Sequence, residues 1–139
     1  MSRWTHIAGL IRIDALFWDS ASEERWLLSL KRRLRGNLPE GSEGPVNFAL
    51  WLNPDGHSLA RGHFSIWGDL REFGTVSDID GIIQWLNKSF LTPTEIIPGK
   101  EKMVYPIIRQ GILQIEDEYK ENSAIVIWDE ESKLFCRKE

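Results

Sequence analysis

The sequence has 139 residues, of which 42% are hydrophobic, 27% charged and 11% aromatic, and its formal net charge is −4. These values are typical of one folded domain, here residues 1–139, and exclude a chain that is disordered throughout. The lone cysteine, Cys136, excludes an internal disulfide and a multi-cysteine zinc site. No apolar run reaches the roughly 20 residues of a membrane span, and no signal or lipidation motif opens the chain, so we expect no membrane contact and a cytoplasmic protein.

The first predicted element is a strand over residues 4–13. Its apolar and polar residues alternate, as they do in a strand with one buried face. The predicted inward residues are Thr5, Ile7, Gly9, Ile11 and Ile13. The predicted outward residues are Trp4, His6, Ala8, Leu10 and Arg12.

Residues 21–35 predict a helix. Ser20 followed by Glu23 fits a capping box at its start, and Gly36 supplies a stop. An apolar stripe at helical spacing predicts its buried face, made of Leu27, Leu30 and Leu34 with Trp26 at the flank. Glycines and prolines then predict a loop over residues 36–45.

A hairpin is predicted next. Residues 46–52 and 59–71 both alternate, and Asn-Pro-Asp-Gly at 53–56 is a turn sequence. The predicted core residues of the two strands are Val46, Phe48, Leu50, Leu52, Phe64, Ile66 and Leu70.

Residues 78–90 predict a second helix, capped by Ser77 and ended by Pro93. Its apolar residues recur at helical spacing and form a single stripe. The stripe consists of Ile79, Ile82, Ile83, Leu86 and Phe90.

The last third of the chain predicts strands. Residues 104–115 fit a helical stripe as well as a strand, but Pro106 and Gly111 disfavour a long helix. We therefore predict a strand over residues 109–119, followed by strands at 124–128 and 134–137. The acidic residues Glu116, Asp117 and Glu118, with Asp129, Glu130 and Glu131 across a predicted hairpin, are interpreted as a solvated edge that discourages aggregation, with divalent-cation binding as the alternative.

The element order is therefore β-α-β-β-α-β with one or two extra C-terminal strands. Two amphipathic helices on one face of an antiparallel sheet predict an α+β sandwich of the ferredoxin-like class. In that arrangement the first and third strands lie side by side at the centre, and the helices cover only one sheet face.

The uncovered sheet face is the predicted binding surface. Its aromatic and basic residues on three strands are Trp4, His6, Arg12, Trp51, Arg61, His63, Trp67 and Arg71. Three interpretations stay open. The C-terminal strands or a second subunit cover the face; a partner protein binds it; or it stacks nucleic-acid bases, as RNA-recognition motifs do. Residues 61–68 partly resemble the octapeptide of that motif, but Phe64 and Ser65 depart from it.

Further candidate sites come from a loop, a basic group and the histidines. The loop residues Gly41, Ser42, Glu43 and Gly44 form either a plain turn or a contact for an anion or partner. The densest basic group, Lys31, Arg32, Arg33 and Arg35, is interpreted as complementing the C-terminus of the first helix, with anion binding as the alternative. His6 is expected to approach His63 across strands, but no metal site is predicted. No catalytic pair and no cofactor motif is found, so we expect no enzyme.

Four segments together carry a resemblance: residues 4–14, 41–44, 68–71 and 108–113. They resemble small uncharacterised proteins encoded in tailed-phage and prophage genomes. The resemblance implies a phage accessory protein made in the bacterial host cytoplasm, a class that often counters host defence by binding a host protein or sequestering a signalling nucleotide.

The leading hypothesis is therefore a non-catalytic binding protein that inhibits a host defence component by direct contact. The alternatives are a protein that binds a signalling nucleotide or single-stranded nucleic acid through the aromatic face, and a structural component of the virion. A homodimer is a further expectation for the same face.

Overall fold

The computed structural model describes residues 3–16, 20–52, 59–92, 94–95, 103–104, 107–119 and 122–138. The predicted turn at 53–56 and Pro93 lie outside the described residues, as do the side chains of Ser20 and Glu23, on which the first predicted capping box depends.

Two helices and ten strands are formed by the described residues. The helices are α1 (Ser20–Gly36) and α2 (Val76–Leu91). The strands are β1 (Trp4–Leu16), β2 (Glu40–Gly41), β3 (Gly44–Pro45), β4 (Asn47–Leu52), β5 (Leu59–Arg71), β6 (Thr94–Glu95), β7 (Met103–Val104), β8 (Ile107–Asp117), β9 (Ala124–Asp129) and β10 (Leu134–Arg137). The segment 36–45 is thus not a plain loop, because β2 and β3 form a minimal hairpin within it.

Six of the strands form one antiparallel sheet in the order β10-β9-β8-β1-β5-β4. The expected pairing of the first and third long strands is present, since β1 lies beside β5 over its whole length. Of residues 104–115, which fitted both a helix and a strand, those from Ile107 onward lie in the strand β8. The C-terminal strands β9 and β10 continue the sheet past β8, so the fold is an α+β arrangement with a six-stranded sheet.

The alternation of β1 and β5 correctly predicted which side chains reach the core. Ile7, Ile11, Phe64 and Ile66 are all buried, and both helices pack their apolar stripes against this inner face. Helix α1 buries Trp26 completely, so this residue belongs to the core and does not merely flank it.

The start of α2 differs from the prediction. The N-cap is Thr75, not Ser77, and it forms a full capping box with Asp78. The Thr75 hydroxyl accepts a hydrogen bond from the Asp78 amide at 3.1 Å. Asp78 Oδ2 accepts from the amides of Thr75 and Gly74, both at 3.0 Å. The helix therefore begins earlier than the apolar stripe indicates.

This cap gives a first testable prediction. Thr75→Ala is expected to lower the free energy of unfolding by about 1 kcal/mol, because it leaves the Asp78 amide without its acceptor. The matched control is Ser77→Ala, which is expected to change stability by less than about 0.5 kcal/mol, since Ser77 is exposed and lies inside the helix. Urea denaturation measures both variants, and equal losses would contradict the assignment of the cap.

One end of the sheet is closed by a buried polar group. The Asp117 carboxylate is buried and pairs with Arg3 at 2.6 Å. Beside it, the buried Thr5 hydroxyl donates to the Phe73 carbonyl at 2.6 Å. The interpretation of residues 116–118 as a solvated edge is therefore wrong for Asp117, although Glu116 and Glu118 are exposed.

Candidate protein-binding surface

The sheet face that the helices leave uncovered, called the outer sheet face below, is built from the outward side chains of β4, β5, β1, β8 and β9. Strand register places Leu10 opposite Ser65 on one side and Ile112 on the other. Ala8 lies opposite Trp67 and Gln114 in the next row. The outer sheet face therefore runs across five strands.

The centre of the outer sheet face is apolar and open. Leu10, Trp67 and Ile112 are between 41% and 50% exposed, and Ile125 on β9 continues the patch beyond β8. Sequence reasoning named Leu10 and Trp67 as outward but missed the contribution of β8 and β9. Exposed and buried side chains alternate along β8. The exposed ones belong to the outer sheet face because β8 pairs with β1, and that pairing is not evident from the sequence.

The C-terminal strands do not cover this face. Strand β9 pairs with β8, and β10 pairs with β9, so both extend the sheet sideways. The interpretation that these strands bury the aromatic surface is therefore wrong. None of the six strands of this sheet lies over its outer face.

One end of the outer sheet face carries aromatic and basic groups. Trp51 stacks on His63 with 5.4 Å between ring centroids and 18° between ring planes. His63 in turn lies opposite Arg12, which is exposed. The buried Nδ1 of His63 has no hydrogen-bond partner within the described part of the chain. Trp51 is 44% exposed while its ring stacks on that of His63 in the neighbouring strand.

The other end carries acidic groups. Asp69 lies opposite His6, and its Oδ1 is 2.5 Å from His6 Nδ1. Glu116 lies opposite His6 on the other side. The expectation that His6 approaches His63 is wrong, because the register separates their rows by six residues of β1, roughly 20 Å. Within the described residues, no group of three or more His, Cys, Asp or Glu side chains could hold a metal ion.

Trp4 and Arg71 lie opposite each other at the acidic end. The Arg71 guanidinium pairs with Glu43 of the β2–β3 turn at 3.0 Å. The Ser42 amide donates to the Arg71 carbonyl at 2.9 Å, so it points at the strand and not at an anion. Gly41 is required here, because a Cβ would lie 2.4 Å from the Arg71 carbonyl oxygen.

The two other predicted site residues are Arg61 and Gly44. The backbone of Arg61 lies in β5 opposite Asp14, but its side chain lies outside the described residues. Gly44 has a φ of 125° and shapes the β2–β3 turn. The turn leaves Ser42 and Glu43 exposed beside the Trp4 end of the outer sheet face.

The geometry favours base stacking less than contact with a protein. In residues 61–68, Phe64 is fully buried in the core, whereas the outward positions hold the small Ser65, the exposed Trp67 and His63, which stacks with Trp51. Asp69 and Glu116 would also repel a phosphate backbone, which nucleic-acid binding has to neutralise with positive charge. The surface is instead mixed in charge around an apolar centre, as protein-binding surfaces are.

Comparisons with known proteins gave no relative. The chain matches no protein-family model, no curated protein and no solved structure. None of the helices in the described ranges is long and apolar enough to cross a membrane.

Proposed function

We propose that this is a non-catalytic binding protein that docks a partner protein on its outer sheet face. The observation that carries the proposal is the open apolar centre formed by Leu10, Trp67 and Ile112, which the chain's own C-terminal strands do not cover. Contiguous exposed apolar patches on monomers commonly mark interaction sites. The exposed Trp51 and Trp67 are the residue type that most often anchors an interface.

The resemblance to small phage and prophage proteins supplies the biological context of this proposal. A phage accessory protein in the bacterial host cytoplasm would use such a surface to cover a functional site of a host defence component. Inhibition by occlusion needs no catalytic group, since it requires only that the bound face exclude another ligand.

The fold class supports the same assignment of the surface. We propose that β1, α1, β4, β5, α2 and β8 form a ferredoxin-like unit, to which β9 and β10 are appended. The support is the order β8-β1-β5-β4 within the larger sheet. In such a unit both helices lie on one face, which leaves the opposite face for binding.

Site-specific crosslinking tests the proposal. A photo-crosslinking amino acid at position 112 is expected to trap a discrete protein adduct in bacterial cells that express the full chain. The matched control is the same group at position 28, since Leu28 is equally exposed but lies on α1. Leu10→Arg should abolish the adduct from position 112, because it places a charge at the apolar centre. The same adducts from positions 112 and 28, or none from position 112, would refute the proposal.

A second copy of the chain is a second candidate occupant, because the strand register allows a two-fold arrangement about Gly9. A two-fold axis lying between two stacked sheets, parallel to them and perpendicular to β1 at Gly9, would place Leu10 on Ala8 of the second copy and Trp67 on its Ser65, so that large side chains meet small ones. The same axis would place Arg12 of each copy over His6 of the other, between Asp69 and Glu116.

The mass of the adduct from position 112 distinguishes a second copy from a partner protein. A self-adduct has twice the chain mass of 16.1 kDa, whereas a partner protein gives another mass. For a dimer, Arg12→Glu is expected to weaken association by at least about tenfold, since it sets like charges against each other. Combining it with Glu116→Arg should restore association, and sedimentation velocity measures both. A chain that stays monomeric at high concentration would refute the dimer without refuting partner binding.

A further inference from the structure

A cleft of about 430 Å³ lies between α1 and α2, on the helical side of the molecule and away from the outer sheet face. Its volume falls within the range of small-molecule sites. Its lining includes three cations and two side-chain amides, which are Arg32, Arg33, Lys88, Asn37 and Gln84.

The charge of the cleft is unlike that of the whole chain. No carboxylate lines the cleft among the described residues, although the chain carries a net charge of −4. A concave surface that concentrates positive charge attracts anions out of solution. The sequence predicted that a basic group complements the C-terminus of α1. Two members of that group, Arg32 and Arg33, line the cleft.

Arg33 is held in place before any ligand arrives. Its Nε donates to the Ser89 carbonyl of α2, and its Nη1 donates to Ser29 Oγ, both at 3.2 Å. Partial burial lowers the pKa of its guanidinium. The Leu34 carbonyl near the end of α1 is occupied by the Trp85 indole, which donates at 3.0 Å. Arg33 thus bridges the two helices.

Gly81 supplies an independent observation. It lies inside α2 and lines the cleft, and glycine inside a helix is destabilising relative to alanine. A Cβ at position 81 would meet no atom within 4 Å, so no close approach requires glycine there. Because Gly81 lines the cleft, a long side chain at position 81 would project toward it.

We propose that this cleft binds a small phosphorylated molecule of the nucleoside phosphate class, at a site separate from the outer sheet face. Guanidinium and ammonium groups are the side chains that hold phosphate, and arginine does so with paired hydrogen bonds. The amides of Asn37 and Gln84 offer both donors and acceptors to a polar body such as a base or sugar. Arg32 and Lys88 take the phosphate, and Arg33 adds a fixed positive charge beside it.

Calorimetric titration of the full chain tests this site. AMP, ADP and cyclic AMP are the probes, with inorganic phosphate and citrate as simple anions. At least one nucleotide is expected to bind one per chain, at least about tenfold more tightly than either simple anion. Gly81→Leu should raise the melting temperature, because leucine favours helix, and should weaken that nucleotide at least about tenfold by filling the cleft.

The charge of the cleft is tested in parallel. Arg32→Glu combined with Lys88→Glu is expected to abolish nucleotide binding. The control, Arg12→Glu, alters the charge of the outer sheet face and should leave it unchanged. The proposal is overturned if no nucleotide gives heat at about 1 mM, or if citrate binds as tightly as the nucleotides. It is also overturned if Gly81→Leu leaves the nucleotide Kd unaltered, or if Arg12→Glu abolishes nucleotide binding. None of these outcomes bears on crosslinking at position 112, so the two proposals fail separately.

Discussion

Replacing Phe64 with alanine is expected to lower the free energy of unfolding by about 4 kcal/mol. The Phe64 ring is fully buried. Its centroid lies 5.3 Å from that of Phe90 and 5.8 Å from that of Phe48. Truncation would remove these contacts and leave a cavity between the sheet and α2, which a close-packed core fills only in part by relaxing.

The control for this prediction lies three residues along the same strand. Trp67→Ala removes a larger side chain, but that side chain is on the exposed outer sheet face. Its loss is expected to change stability by less than about 1 kcal/mol. Chemical denaturation followed by circular dichroism measures both variants. Comparable losses would show that the outer sheet face is buried in solution and that the proposed binding surface is not open.

The success of the sequence in predicting the long strands has a physical reason. One buried face imposes a period of two, and a shift by one residue would expose every core side chain. That constraint assigns the faces of β1 and β5 from their residues alone. The N-cap of α2 is different, because Thr75 and Ser77 are both able to cap. Which of them does so depends on the path of the chain from the end of β5 into α2, where Glu72 takes a positive φ of 56°.

The candidate site was predicted in part for a related reason. Alternation within a strand identifies Trp51, Trp67 and Arg12 as outward. It does not determine which residues of the neighbouring strands lie beside them. No short turn connects β1 to β5, so the register that separates His6 from His63 is set only by tertiary packing. For the same reason the sequence did not predict that Ile112 and Ile125 belong to this face. Their position depends on β8 pairing with β1 and β9 pairing with β8.

Asp117 shows where local composition misleads. It lies between two exposed glutamates, and acidic runs are usually solvated. Its position in β8 nevertheless points it inward, where it is 1% exposed and pairs with Arg3. The cation comes from the opposite end of the sequence, 114 positions away. A buried carboxylate requires such a partner, and the sequence does not reveal which basic residue supplies it.

Arg3→Ala is accordingly expected to lower the free energy of unfolding at pH 7 by about 3 kcal/mol, because it leaves a buried carboxylate without its cation. Both Nε and Nη2 of Arg3 donate to Asp117, at 3.2 and 2.6 Å. The matched control is Lys133→Ala. Lys133 pairs with Glu130 at the same 2.6 Å, but the two side chains are 67% and 61% exposed. Its loss is expected to cost less than about 1 kcal/mol, as for other solvated pairs.

The pH dependence of the Arg3→Ala effect distinguishes a lost ion pair from lost packing. The hydrogen bond from Arg3 holds the pKa of Asp117 below its ordinary value, against the opposing effect of burial. The unfolded chain, with a pKa of about 3.9 for aspartate, therefore takes up its proton first as the pH falls. The stability that the pair contributes is complete above that value and is lost as the pH falls through the lower pKa of the folded protein. Urea denaturation from pH 7 down through this range should show the effect of Arg3→Ala shrinking, while that of Phe64→Ala stays nearly constant. An Arg3→Ala penalty that stays the same at every pH would mean that Arg3 stabilises the fold by packing alone.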